Sequence, residues 1–256
     1  MKFIRLRDEA GRPGAWCIEG REGWRALAAD PFSASSFTGA VHPRGSVDLA
    51  APVAPTKIIG VGRNYRAHAK ELDNAVPETP LFFLKPPAAL IGPGDPIVLP
   101  PESRRVDYEG ELAVVIARRA RRVSRESALT YVLGYTIAND VTARDLQKKD
   151  IQFTRAKGFD TFCPVGPCVV DGLDPGALTL TTRVNGEVRQ NGHTSEMVFD
   201  VPTLIAEASR FTTLLPGDLI LTGTPAGVGP LAAGDVVEVE ISSIGTLQNP
   251  VTAERE

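Results

Sequence analysis

Val106-Asp107-Tyr108-Glu109-Gly110-Glu111-Leu112-Ala113-Val114-Val115-Ile116 is the stretch on which the reading of this chain turns. Side chains of a β-strand alternate between two faces, which places Val106, Tyr108, Leu112, Val114 and Ile116 together. Glu109 and Glu111 then share the opposite face, each flanked by residues of buried character. Like charges held side by side near a core are costly unless something cationic lies between them. A third carboxylate, Asp140, closes another apolar run, Gly134-Tyr135-Thr136-Ile137-Ala138-Asn139. The trio predicts a divalent-cation site. The residues alone leave open a solvated sheet face on which each glutamate meets an arginine.

The rest of the composition narrows the metal. Histidine occurs three times, as His42, His68 and His193, with no paired spacing. Imidazole-based zinc or iron chemistry is therefore disfavoured, and oxygen ligands point to magnesium, manganese or calcium. The three cysteines, Cys17, Cys163 and Cys168, form no Cys-x-x-Cys pair, which argues against a disulfide framework and a thiolate site. A net charge of −3 gives no reason to expect nucleic acid or an anionic membrane as partner. No apolar run reaches the roughly 18 residues of a membrane span, and Met1-Lys2-Phe3-Ile4-Arg5 does not read as a signal peptide. A cytoplasmic protein is expected.

Along the 256 residues the signals are mostly those of strands. Residues 1–50 read as a small N-terminal β domain, with Ala51-Pro52-Val53-Ala54-Pro55 as the joint to a second domain over 51–256. Lys57 to Val61 reads as a buried strand that leads into Gly62-Arg63-Asn64. A two-turn helix over Tyr65–Leu72 follows, with Asn64 as its expected cap. Residues 86–101, with six prolines and two glycines, read as loops around one short strand. Asn185-Gly186 signals a hairpin. Val201, Leu204, Ile205, Ala208 and Phe211 recur at helical spacing behind Asp200. Strands and helices do not alternate strictly, which argues against a doubly wound parallel sheet. The expected class is α+β, strand-rich, with a mixed sheet that is rolled or sandwiched and carries few helices.

Further chemistry lies near the trio. His68 and Glu71 are three apart on the short helix, hence neighbours on one face. A carboxylate beside an imidazole fixes its tautomer and raises its basicity, as a general base requires. The helix is too short to stand alone and reads as a lid. Lys157 and Arg144 are candidate cations for an anionic substrate. Gly223 and Thr224 open a glycine-rich loop whose N–H groups and hydroxyl can approach a ligand. That loop lacks the Gly-Lys-Ser/Thr of a phosphate-binding loop.

Six ordered segments resemble the fumarylacetoacetate hydrolase family. They are Gly60-Val61-Gly62-Arg63-Asn64-Tyr65 with His68 and Glu71; Phe83-Leu84-Lys85-Pro86; Tyr108-Glu109-Gly110-Glu111-Leu112; Asn139-Asp140-Val141-Thr142-Ala143-Arg144-Asp145; Lys157-Gly158-Phe159-Asp160; and Leu221-Thr222-Gly223-Thr224-Pro225. The resemblance implies a mixed β-roll core, a homodimer, and a Mg²⁺ or Mn²⁺ site at Glu109, Glu111 and Asp140, with Ca²⁺ as a stand-in. It implies a His68–Glu71 dyad on a mobile lid, and Lys157, Arg144, Gln147 and Thr224 as substrate-binding residues. Gly158 fits less closely, since serine is familiar there.

The implied chemistry is that of a 2-oxo acid whose enolate the metal stabilises as a Lewis acid. Hydrolysis of a C–C bond in an acylpyruvate-like substrate is the favoured activity, acting in the manner of an acylpyruvase or a 2-hydroxyhepta-2,4-diene-1,7-dioate isomerase. Decarboxylation of oxaloacetate and isomerisation of an unsaturated 2-oxo diacid are the alternatives. A reading from another class is a binding protein with structural calcium, against which His68, Glu71 and Lys157 argue.

Overall fold

The stretch 106–116 forms two strands, Val106–Tyr108 and Gly110–Ile116, where the alternation predicts one. The break has a steric origin. A Cβ on Gly110 would lie 2.4 Å from Thr182 Oγ1 and 2.9 Å from a Val239 methyl, so the backbone passes where only glycine fits. Two side chains hold it there: the Gly110 N–H donates to Gln190 Oε1 at 3.0 Å, and its carbonyl accepts from the Thr224 hydroxyl at 2.8 Å. Val106–Tyr108 pairs with Thr142–Ala143 and Gly229–Pro230 in a small sheet, whereas Gly110–Ile116 enters the principal one. Glu109 is the corner between them.

The computed structural model describes residues 1–33, 36–45 and 47–254. Among these, twelve strands build the principal mixed sheet. Gly110–Ile116 lies near its middle, antiparallel to Val132–Asn139 on one side and to Leu219–Leu221 on the other. Leu219–Leu221 runs parallel to Ile58–Gly62, and Leu81–Lys85 forms that edge. The first strand, Lys2–Arg7, pairs with Cys163–Val170, so the N-terminal strands extend this same sheet. A five-stranded sheet packs against it, containing Thr179–Val184, Glu187–His193, Val236–Ile241, Gly245–Ala253 and Ile97–Leu99.

All seven residues of Gly110–Ile116 are buried, so the expected division into core and opposite face does not hold. Leu112, Val114 and Ile116 join Leu180, Val239 and Ile241 of the second sheet and Leu204, Ile205 and Ala208 of a helix in one core. Ala113 and Val115 join Val165, Val169, Leu219 and Leu221 in another. A sheet rolled between two apolar layers leaves its central strand no wet face.

The strand-rich α+β class is as expected, with four α-helices among the described residues: Arg66–Glu71, Arg144–Lys149, Thr154–Lys157 and Val201–Phe211. Asp200 caps the last, accepting the Thr203 N–H at 3.0 Å. Asn185 and Gly186 take the two positive φ angles, 53° and 81°, of the hairpin turn. Residues 86–101 hold two short strands, Leu90–Ile91 and Ile97–Leu99, where one was expected.

Asn64 does not cap the lid helix. Tyr65 holds the N-cap position and no side chain caps it. The Asn64 amide is fully buried and donates to the carbonyls of Phe199 (3.0 Å) and Thr222 (2.7 Å). Its oxygen accepts the Phe199 N–H at 2.8 Å. It ties the root of the lid to two distant segments.

Candidate metal and substrate site

The corner at Glu109 brings the carboxylates together. Asn139 Oδ1 accepts the Glu109 N–H at 2.9 Å, and the Glu109 carbonyl accepts the Asp140 N–H at 2.8 Å. Asp140 follows directly on the end of strand Val132–Asn139. Ligand atoms of Glu109, Glu111 and Asp140 lie within 4.8 Å of one another, and all three residues are buried. That excludes the solvated sheet face.

Cations surround two of the three. Lys157 Nζ donates to Glu109 at 2.9 Å, to Thr142 Oγ1 at 2.8 Å, and to Asp140. Lys85 Nζ donates to the other Asp140 oxygen at 2.6 Å. Arg144 donates to Glu109, and its Nε donates to Asp107 at 2.9 Å. Burial alone would raise the Glu109 carboxyl, but Lys157, Arg144 and His68 outweigh it and hold it well below the usual range. Burial opposes charge on Lys157, yet Asp140 and Glu109 raise it above the ordinary lysine value.

Glu111 differs. Its one polar contact is the Gly223 N–H at 2.6 Å, and no cationic side chain lies within 4.0 Å of it among the described residues. Burial, Asp140 and Glu109 drive its carboxyl well above the usual range. A divalent cation between the three would remove that penalty. Three buried oxygen ligands fit Mg²⁺ or Mn²⁺, with water or substrate to complete the shell. The donor set therefore fits the metal that the sequence implies.

A cavity of about 650 Å³ opens over the trio. His68, Glu71, Arg144, Gln147, Lys157 and Thr224 all line it, so nine of the ten expected site residues meet at one cavity. Gly223 lies behind the wall, with its N–H spent on Glu111. The Thr224 hydroxyl donates to Gly110 and accepts from Gln190 at 2.7 Å. Gln147 accepts from Arg144 at 2.7 Å.

His68 Nδ1 lies 3.4 Å from Glu71 Oε2. His68 is buried, whereas the Glu71 side chain is 31% exposed, which puts the pair at the rim of the cavity, on the short helix itself. The lid helix is held at both ends, by Asn64 at its root and by Glu71 at its tip. Four contributors lie outside the expected site residues: Lys85 and Asn139, which stand within the segments that carry the resemblance, and Asp107 and Gln190. Lys85 also carries a local signal, as a lysine closing the apolar run Leu81-Phe82-Phe83-Leu84.

A family model described as fumarylacetoacetate (FAA) hydrolase C-terminal matches residues 57–252. A mitochondrial oxaloacetate tautomerase of Xenopus laevis is 47% identical over 221 residues, which span 81% of this chain and 69% of that protein. The crystal structure of a 2-hydroxyhepta-2,4-diene-1,7-dioate isomerase from Mycobacterium marinum is 47% identical, with a TM-score of 0.90 and 100% of each chain covered. The maleylpyruvate hydrolase of Sphingobium sp. SYK-6, solved with manganese(II) and pyruvate, is 33% identical, with a TM-score of 0.82 and 100% of each chain covered.

Proposed function

The chain belongs to the fumarylacetoacetate hydrolase family, and on that premise we propose that it is a divalent-metal-dependent enzyme that moves a proton at C3 of a 2-oxo acid, interconverting keto and enol forms. One observation carries the reading: the buried trio Glu109, Glu111 and Asp140 lines the same cavity as the His68–Glu71 pair. The tautomerase and isomerase relatives at 47% identity support this choice of reaction.

A divalent cation held by Glu109, Glu111 and Asp140 would supply Lewis acidity toward the substrate's keto oxygen. The protein's own groups do the rest. Glu71 faces His68 Nδ1 and orients the ring, leaving Nε2 as the free nitrogen to take a proton from C3 and pass it to the keto oxygen, the reverse transfer restoring the keto form. Lys157 and Arg144 hold the Glu109 and Asp140 carboxylates in place. Lys85, fully buried, anchors Asp140 from behind. The lid shields the cavity from bulk water while the proton moves.

Hydrolysis of an acylpyruvate is the second reading, favoured by the cavity volume, which exceeds what a pyruvate-sized ligand fills. There His68 would take its proton from water, and the water would attack the distal carbonyl. Incubating Mg²⁺-loaded protein with oxaloacetate and with an acylpyruvate in D₂O separates the two. The proposal expects C3 deuteration above the level given by Glu71→Ala, with no C–C cleavage. Cleavage outpacing exchange would make hydrolysis the function, and neither reaction would sink both readings. A homodimer belongs to the same proposal, and light scattering on the eluting protein tests it.

A further inference from the structure

We infer that Gln190 is a positioning residue that locks the corner between Glu109 and Glu111 to the loop over 223–227, where the tip of the lid helix is fastened. The inference rests on the trio being the metal site proposed above, and it reaches that site from outside the cavity. Gln190 belongs to Glu187–His193, an edge strand of the five-stranded sheet. Alternation along this strand puts Val188, Gln190 and Gly192 on one face. Val188 is exposed, whereas Gln190 and Gly192 are buried under the loop. The approach is close: a Cβ on Gly192 would lie 2.6 Å from Pro225 Cβ.

A buried amide needs partners for its oxygen and for its hydrogens. Gln190 is fully buried and does not line the cavity. Its Oε1 accepts the Gly110 N–H at 3.0 Å. Its Nε2 donates to Thr224 Oγ1 at 2.7 Å and to the Pro225 carbonyl at 2.9 Å. That orientation is forced, since a backbone N–H only donates and a carbonyl only accepts. The Thr224 hydroxyl takes one bond from Gln190 and donates its own proton to the Gly110 carbonyl. Gln190, Thr224 and Gly110 thus close a ring of hydrogen bonds. The residues on either side of Gly110 are two of the three carboxylates of the trio. On the loop side, the Gly223 N–H holds Glu111 and the Gly227 N–H holds Glu71. One buried side chain therefore sets how Glu109 and Glu111 stand to each other and where Glu71 finds its anchor.

Calorimetric titration of Mn²⁺ and hydrogen exchange, both on the full chain, test this. Gln190→Met keeps the bulk and removes all three bonds. Gln190→Asn is the milder variant, an amide one methylene too short to span both partners. Asn249→Ala is the control, because Asn249 is also buried in the five-stranded sheet and donates at 2.9 Å to the Gly92 and Asp95 carbonyls, which lie outside the cavity lining. Gln190→Met should weaken Mn²⁺ binding roughly 10-fold to 100-fold. It should also speed exchange over residues 66–71 and 223–228 about tenfold. Gln190→Asn should move both readouts the same way by a smaller factor, and it decides the matter if Gln190→Met does not fold. Asn249→Ala should lower the urea midpoint and leave both readouts at their wild-type values. Gln190 variants that shift neither readout, or shift them no further than Asn249→Ala does, overturn the assignment. A change in one readout without the other overturns the link between corner and loop. A wild type that binds no Mn²⁺ overturns the metal reading instead, and the exchange comparison alone then upholds or overturns Gln190.

Discussion

Both carboxylate oxygens of Glu71 accept the backbone N–H of Gly227, at 3.0 and 3.2 Å. A helix as short as Arg66–Glu71 is not stable by itself, and this contact fastens its tip to the loop over 223–230. Gly227 has a φ of 100°, and a Cβ there would meet the Arg189 carbonyl oxygen at 2.1 Å, so only glycine brings its N–H to this point. The Tyr108 hydroxyl donates to the Gly227 carbonyl at 2.9 Å and steadies it from the other side. Glu71 thus makes two contacts, one that fastens the helix tip to Gly227 and one to His68 that, in the function proposed above, orients the ring.

The two contacts separate by substitution. Glu71→Gln keeps an oxygen for Gly227 but removes the charge beside His68. Turnover should fall about 10²-fold to 10⁴-fold, while hydrogen exchange over residues 66–74 stays slow. Glu71→Ala should lose turnover and exchange protection together. Equal loss of protection in both variants would show that the Gly227 contact does not hold the lid.

Lys85 gives a prediction about stability. Replacing it by methionine leaves Asp140 buried with one of its two lysine partners gone. Removing one partner of a buried pair costs about 3–5 kcal/mol, seen as a lower midpoint in urea. A divalent cation at the trio replaces the missing positive charge, so saturating Mn²⁺ should recover part of the loss. An equal loss with and without Mn²⁺ would place the cation elsewhere.

Asp200 gives one about pH. Burial would raise its carboxyl, but hydrogen bonds from Thr203 and Arg125 outweigh that and hold it below the usual 3.8. Because folding favours the charged form, its contribution is full at neutral pH and is lost as pH falls from about 4 through the depressed folded value. Asp200→Ala should therefore cost about 1 kcal/mol at pH 7 as a lost helix cap, and less near pH 3. Urea unfolding at the two pH values measures the difference. A larger cost at pH 3 than at pH 7 would contradict the sign.

What the sequence conveyed follows from how local each signal is. Glu109, Glu111 and Asp140 stood out because each interrupts or ends an apolar run, and such carboxylates need a cation wherever the chain folds. The corner at Glu109 was not legible. Gly110 fits the strand alternation, and the atoms that forbid a side chain there belong to Thr182 and Val239, far along the chain. Asn64 satisfies the local pattern of a helix cap, but Phe199 and Thr222 claim its amide through tertiary contacts that no window reveals. Asp107 falls by alternation on the face of Glu109 and Glu111 but drew no reading of its own, and it is fully buried between Arg105 and Arg144. The charge balance of the floor therefore differs from that of three carboxylates alone: Asp107 adds an anion, and Lys85, Arg144 and Lys157 supply three buried cations.

In the proposed function Glu109, Glu111 and Asp140 form a divalent-cation site on which a 2-oxo acid is bound. Calorimetric titration of oxalate, a mimic of the pyruvate enolate, into wild type and Glu111→Gln with and without Mg²⁺ tests it most directly. Glu111 is the member of the trio without a cationic partner, so its substitution should remove the metal while leaving the Lys157 and Arg144 contacts intact. Oxalate should bind wild type only when Mg²⁺ is present, and Glu111→Gln should lose that binding by about 10²-fold or more. Oxalate binding of equal strength with and without Mg²⁺, or undiminished in Glu111→Gln, would show that the trio does not hold the metal on which the acid binds.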